Sequence, residues 1–164
     1  MNNKTLNLQA NQSASRFIYV DGSTPNNQKS NAVSGVAAVI CDQHNNLLSH
    51  RSEHLKDVSD NARAELYALL IGLTEAQCGD TVLSDSEYCV KGFNEWVNGW
   101  EARGWRRADK KPVANRDLWE LIHAIKADVS VSVVKVKAHD GIYGNELADK
   151  LAYAAAQKEA KSVA

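Results

Sequence analysis

Four acidic residues stand where chemistry is usually done. Asp21 follows the apolar run Phe17-Ile18-Tyr19-Val20, Asp85 follows Val82-Leu83-Ser84, and Glu65 and Asp149 lie in the early turns of two helical patterns. The carboxyl ends of strands open onto the usual ligand crevice of an α/β sheet. Four carboxylates gathered there would repel one another unless cations neutralise them. Oxygen donors without a thiolate or imidazole cluster favour Mg2+ or Mn2+ over Zn2+. Two such ions about 3.5–4 Å apart would hold both the attacking and the leaving oxygen of a phosphodiester displacement. Each acid also has an ordinary structural use: Asp85 as a helix cap, Glu65 and Asp149 as partners of helix dipoles, Asp21 as a turn residue. Spacing alone does not choose between these uses.

The elements that must position the acids are legible in the pattern of apolar residues. Phe17–Val20 is a continuous apolar run, which marks a strand buried on both faces. Residues 35–42 and 47–55 read as two more strands, joined by a tight hairpin at His44-Asn45-Asn46. A helix is expected over Asn61–Cys78, with Ala62, Leu66, Leu69, Leu70 and Leu73 on one stripe, Ser59 or Asp60 as N-cap and Gly79 as its stop. A strand at 81–84, helical segments through Trp100, a helix at 116–127, a strand at 130–137 and an Ala-rich helix at 145–161 complete the order. Three strands, helix, strand, helices, strand, helix predicts an α/β fold: a mixed sheet flanked by helices, its first hairpins antiparallel.

At 164 residues the chain suits a single domain. No apolar stretch is long enough to span a membrane, and Met1–Arg16 lacks the apolar core of a signal peptide, so residues 1–15 read as a loose polar tail. Three cysteines, Cys41, Cys78 and Cys89, without paired spacing argue against a disulfide framework and suit a reducing cytoplasm, each as a small core residue. The formal charge of −1 at first argues against a nucleic-acid partner. Its distribution argues otherwise. Glu101–Arg116 carries six basic and two acidic residues, a net +4, which leaves −5 for the rest of the chain.

The wording around the four acids resembles that of type 1 ribonuclease H, in particular the bacterial ribonuclease HI branch. The matching segments are Tyr19-Val20-Asp21-Gly22-Ser23, Asn61-Ala62-Arg63-Ala64-Glu65-Leu66, Leu83-Ser84-Asp85-Ser86-Glu87-Tyr88, Val136-Lys137-Ala138-His139 and Asn145-Glu146-Leu147-Ala148-Asp149. Between the third and fourth lies Trp96–Trp105 and its basic continuation to Arg116, similar to the family's basic protrusion at about 96–116. The resemblance implies a ribonuclease H-like fold over residues 16–161, with a five-stranded mixed sheet whose first three strands are antiparallel. It implies that Asp21, Glu65, Asp85 and Asp149 hold two Mg2+ ions, with Mn2+ as a possible substitute, and that His139 in its loop moves a proton or helps product leave. The reaction implied is hydrolysis of the RNA strand of an RNA–DNA hybrid, leaving 5′-phosphate and 3′-hydroxyl ends.

Substrate contacts follow from the same resemblance. Gly22 and Ser23 are expected at the RNA 2′-hydroxyls, Asn61 and Arg63 at a phosphate of the DNA strand, Trp96 at DNA sugars, and Asn145 near the substrate. Arg106, Arg107, Lys110 and Lys111 are expected to steer phosphates. Most of the four tryptophans are expected to build the core beneath the protrusion. The chain departs from the family in its glycine-poor loop after Asp21, in Ala62 and in Glu87, which stand where many bacterial members carry Asn and Gln. Weaker binding or a greater need for metal is the expectation. A standalone monomer without an obligate protein partner is the default, and two alternatives stay open: a catalytically weak hybrid-binding module, or the ribonuclease H domain of a reverse transcriptase.

Overall fold

In the computed structural model, residues 15–25 and 33–157 are described; the expected tail up to residue 14, most of the loop after Asp21 and the end of the last helix lie outside them. The elements run β1 (Phe17–Ser23), β2 (Ser34–Cys41), β3 (Leu47–Leu55), α1 (Asn61–Glu75), β4 (Thr81–Ser84), α2 (Glu87–Lys91), a π-helical segment (Gly92–Trp96), α3 (Val97–Ala102), α4 (Arg116–Asp128), β5 (Ser132–Lys135) and α5 (Tyr143–Gln157). The sheet order is β3-β2-β1-β4-β5. The pairs β1/β2 and β2/β3 are antiparallel, and β1/β4 and β4/β5 parallel. This is the five-stranded mixed sheet that the sequence predicts.

The apolar run in β1 has the cause inferred for it. Ile18 and Val20 face a core built with Leu66 and Leu69 of α1 and Trp119 and Ile122 of α4. Tyr19 faces the other way, onto Val39, Cys41 and Ala148 of α5. Helices therefore cover both sides of β1, and its side chains have no polar face to show. The strand also runs two residues past Asp21, so that the acid lies within β1 and not beyond its end.

Helix α5 lies unusually close to the sheet. Its buried side chains are mainly alanines, Ala148, Ala152, Ala155 and Ala156. Opposite them is Gly35 of β2, where an added Cβ would come within 1.9 Å of the Ala152 carbonyl oxygen. Small residues on both surfaces let the backbones approach and seat the N-terminal half of α5 beside the end of β1.

Three boundaries differ from expectation, each for a tertiary reason. Helix α1 ends at Glu75 and not at Cys78, because the Arg16 guanidinium donates to the Glu75 carbonyl (3.0 Å) and the Asp80 carboxylate accepts from the Gln77 N–H (2.8 Å). The Arg16–Asp80 ion pair (2.8 Å) that organises this turn joins residues far apart in the chain. Strand β5 is shorter than 130–137 because its partner β4 has only four residues to pair with. The helical stretch after Asp85 widens into the π-helical segment, where Lys126 of α4 donates its ammonium to the Phe93 carbonyl and lies 4.6 Å from the Phe93 ring centroid.

Cys41 and Cys89 are buried, as expected of core residues, whereas Cys78 is exposed in the turn after α1; all three are free. Among the described residues, no helix is long and apolar enough to cross a membrane.

The close seat of α5 is open to test. Gly35→Ala is expected to destabilise the protein by about 2–3 kcal/mol, lowering Tm by roughly 4–12 °C for a chain of this size. Thermal melting followed by circular dichroism measures it, and an unchanged Tm would show that α5 has room to shift.

Candidate active site

The four acids converge from four elements. Asp21 comes from β1, Glu65 from the second turn of α1, Asp85 from the residue after β4, and Asp149 from the second turn of α5. They line one cleft of about 600 Å³ at the carboxyl ends of β1 and β4. One carboxylate oxygen from each of Asp21, Glu65 and Asp85 lies within 4.8 Å of the other two.

The convergence depends on Gly22. A Cβ there would stand 2.6 Å from the Ala64 carbonyl carbon and 2.8 Å from the Glu65 nitrogen, so only glycine lets the end of β1 lie against the first turns of α1. The same residue's N–H is shared between the carboxylates, donating to Asp21 Oδ1 (3.0 Å) and to Glu65 Oε2 (3.3 Å). Helix α1 is fixed at this height by its N-cap, where the Asp60 carboxylate accepts from the Ala62 N–H at 2.8 Å.

Burial sets the electrostatics. Asp21 is 4% exposed, and desolvation, followed by the negative charges of Glu65 and Asp85, pushes its carboxyl far above the usual range. Glu65 is raised by burial and then by Asp85, and Asp85 is raised chiefly by burial. Among the described residues the cleft lining has no lysine or arginine, and His139 is its one basic side chain. Oxygen donors this close, buried and without a protein cation among them, fit a hard divalent metal.

Other predicted residues fall into three groups. Gly22, Ser23, Asn61 and His139 line the cleft with the acids. His139 sits in the turn after β5 with φ of 56°, and its positive charge would favour ionised Asp85. Asn145, by contrast, is 2% exposed and is not part of the cleft lining. Its amide helps the ionised form of Asp85, while its Nδ2 has no hydrogen-bond partner among the described residues.

Arg63 also points elsewhere. Its guanidinium binds both oxygens of Asp117 (3.0 and 2.7 Å) and Asn115 Oδ1 (3.1 Å), tying α1 to the start of α4. A phosphate reaching Arg63 would share it with Asp117. Glu87 is exposed and pairs with Lys91 one turn on, at 2.8 Å.

The basic protrusion is a tight loop on an aromatic base. An isolated antiparallel bridge joins Arg106 to Pro112, and the Arg107 N–H donates to the Lys111 carbonyl at 2.9 Å. Arg106, Arg107, Lys110 and Lys111 are all exposed, Arg107 pairing with Asp109. Beneath them Trp119 is fully buried, with Tyr88 at 5.7 Å and Trp100 at 5.5 Å between ring centroids. Trp119 Nε1 donates to the Tyr88 hydroxyl at 2.9 Å. Trp96, half-buried and 5.7 Å from Trp100, leaves part of its ring in solvent.

Four cleft residues escaped the reading of the sequence: Thr24, Pro25, Tyr153 and Gln157. The last two had a usable signal, since Asn145, Asp149, Tyr153 and Gln157 follow one another at intervals of four on α5.

Comparison with known proteins agrees with this geometry. The family model described as RNase H matches residues 13–157. A ribonuclease H of Lachnoclostridium phytofermentans is 38% identical over 148 residues, covering 85% of this chain and 90% of that protein. A ribonuclease H of Paramagnetospirillum magneticum is 48% identical over 94 residues, covering 56% of this chain and 61% of that protein. Several curated relatives are thus matched over just under two thirds of their own length. Among solved structures, the PFV RNase H domain superposes with a TM-score of 0.77 at 23% identity, covering 87% of this chain and 94% of that one. A foamy viral protease-reverse transcriptase in complex with an RNA/DNA hybrid gives 0.77 at 24% identity, covering 88% of this chain and 20% of that one.

The acid cluster predicts a pH dependence in metal-free protein. Folded Asp21 and Glu65 hold protons more tightly than they do in the unfolded chain. The contribution of these two groups to stability is therefore greatest below the ordinary carboxylate range and falls as pH rises from about 4 toward the raised folded values. In EDTA, Asp21→Asn is expected to melt several degrees above the unsubstituted protein at pH 8, with the gap closing near pH 4. Melting curves across that range measure it; a gap independent of pH would mean that the carboxylates do not repel.

Proposed function

The chain belongs to the RNase H family, and from that premise we propose that it is a metal-dependent endonuclease that hydrolyses the RNA strand of RNA–DNA hybrids. The observation that carries the proposal is the meeting of Asp21, Glu65 and Asp85 within 4.8 Å in a cleft that Asp149 and His139 also line. The RNA/DNA hybrid held by the foamy viral relative of the same fold supports the substrate.

The four carboxylates would hold Mg2+, which when bound supplies Lewis acidity and positive charge at the scissile phosphate. The protein's own part is to keep these oxygens together. Asp21, the most buried, anchors the cluster, and Gly22 N–H orients two of its members at once. His139, on a loop at the cleft edge, carries an imidazole that would pass a proton between water and the leaving 3′ oxygen. The products would be a 5′-phosphate and a 3′-hydroxyl.

Preference for a hybrid requires contact with ribose 2′-hydroxyls from the wide, shallow minor groove. Gly22 and Ser23, at the half-buried end of β1, and Asn61, at the start of α1, stand on the cleft wall and would make such contacts. The protrusion adds charge that is not sequence-specific, with Trp96 at its base available to pack on sugars.

Incubation of end-labelled RNA–DNA hybrid, duplex RNA and duplex DNA with the protein tests the proposal. Cleavage is expected only in the RNA strand of the hybrid, with Mg2+ or Mn2+, and is expected to vanish with EDTA or with Asp21→Asn. Equal cutting of duplex RNA would overturn the substrate assignment. Replacing Arg106, Arg107, Lys110 and Lys111 with Gln should raise KM several-fold more than it lowers kcat and flatten the salt dependence. A loss confined to kcat would give the protrusion a different role.

A further inference from the structure

Tyr153 is the residue of the cleft that neither the acid chemistry nor the fold accounts for. Its side chain is 54% exposed, one of the most exposed large apolar groups among the described residues, yet it lines the same cleft as Asp21, Glu65, Asp85 and Asp149. It lies four residues after Asp149 on α5, so the two side chains share a helix face and are displaced by about 6 Å along the axis. Gln157 continues the stripe one turn further, and Thr24 and Pro25 form the part of the lining contributed by the chain beyond β1.

An aromatic ring left in water beside an acidic cluster gains nothing from the fold. Among the described residues it neither stacks with a cation nor appears among the packed side chains of the two cores. It does offer an uncharged surface next to the place where a phosphate would be held. A displacement of one helical turn is of the order of one nucleotide step along a strand. In a paired hybrid the bases are stacked inside, and the wide minor groove presents sugars and hydroxyls. The apolar surface available to the ring is therefore a sugar, and its hydroxyl is placed to donate to an adjacent backbone oxygen.

We propose that Tyr153 is a substrate-contact residue whose ring packs against the sugar of the nucleotide next to the scissile phosphate, supplying affinity that does not depend on charge. This deepens the reading of the cleft as a hybrid-cleaving site and rests on it. Charge-independence sets Tyr153 apart from the protrusion, whose basic residues act through phosphates and lose strength as salt rises.

The experiment compares Tyr153→Phe, Tyr153→Ala and Tyr153→Lys with the unsubstituted protein in steady-state cleavage of the hybrid with Mg2+. Hybrid affinity is measured in parallel by fluorescence anisotropy across a potassium chloride series, each change placed in the Asp21→Asn background to stop cleavage. Tyr153→Ala is expected to raise KM roughly five- to twentyfold, within the range of aromatic–nucleotide packing, with kcat within about twofold and Tm unchanged. Its salt slope should match that of the unsubstituted protein, whereas Tyr153→Lys should regain affinity with a slope steeper by about one. Tyr153→Phe should lie within about threefold of the tyrosine, because the ring carries most of the contact. A Tyr153→Ala KM and affinity within twofold of the parent, or a flatter salt slope, would overturn the inference. If the unsubstituted protein leaves the hybrid uncut, the reading of the site fails instead, and the anisotropy series still decides whether the ring contacts the hybrid.

Discussion

Three carboxylates held within 4.8 Å of one another, one of them 4% exposed, form a constraint that the rest of the molecule has to satisfy. Like charges at such separations oppose folding unless protons or cations intervene. The opposing cost is met by packing that has nothing to do with the acids: Ile18 and Val20 against α1 and α4 on one side of β1, Tyr19 against α5 on the other. The cleft lies at the end of the central strand β1, whose middle residues are buried from both sides.

Glycine and alanine control how tightly the constraint is applied. Gly22 lets β1 and α1 touch, and Gly35 with the alanines of α5 lets that helix lie directly on β2. Two helices on opposite faces are thereby brought against the same strand end, each delivering an acid. A larger side chain at either contact would separate the carboxylates without altering any of them. The residues that make the site possible are thus not the residues that would do the chemistry.

Charge is divided in the same way. The acids are gathered in a cleft whose described lining has no lysine or arginine, while Arg106, Arg107, Lys110 and Lys111 are displayed on a loop raised on Trp119, Trp100 and Tyr88. A formal total of −1 conceals this separation of signs. Phosphates meet positive charge at the protrusion and require a cation at the cleft, so association and chemistry are governed by different parts of one surface.

From the sequence alone, strand and helix periodicity yields the order of elements, and motif wording yields the family and the four acids, because both are written in local residue types. The sheet order, the close seat of α5 and the end of α1 at Glu75 required the folded chain. They depend on contacts such as Arg16–Asp80 and Gly35–Ala152 between residues distant in sequence. The same limit applies within the site. Asp21, Glu65, Asp85 and Asp149 are conspicuous as residues, but the burial of Asn145, the capture of Arg63 by Asp117 and the exposure of Tyr153 are matters of direction. Residue type records which groups a chain has available; only packing decides where each one points and which of them water and substrate can reach.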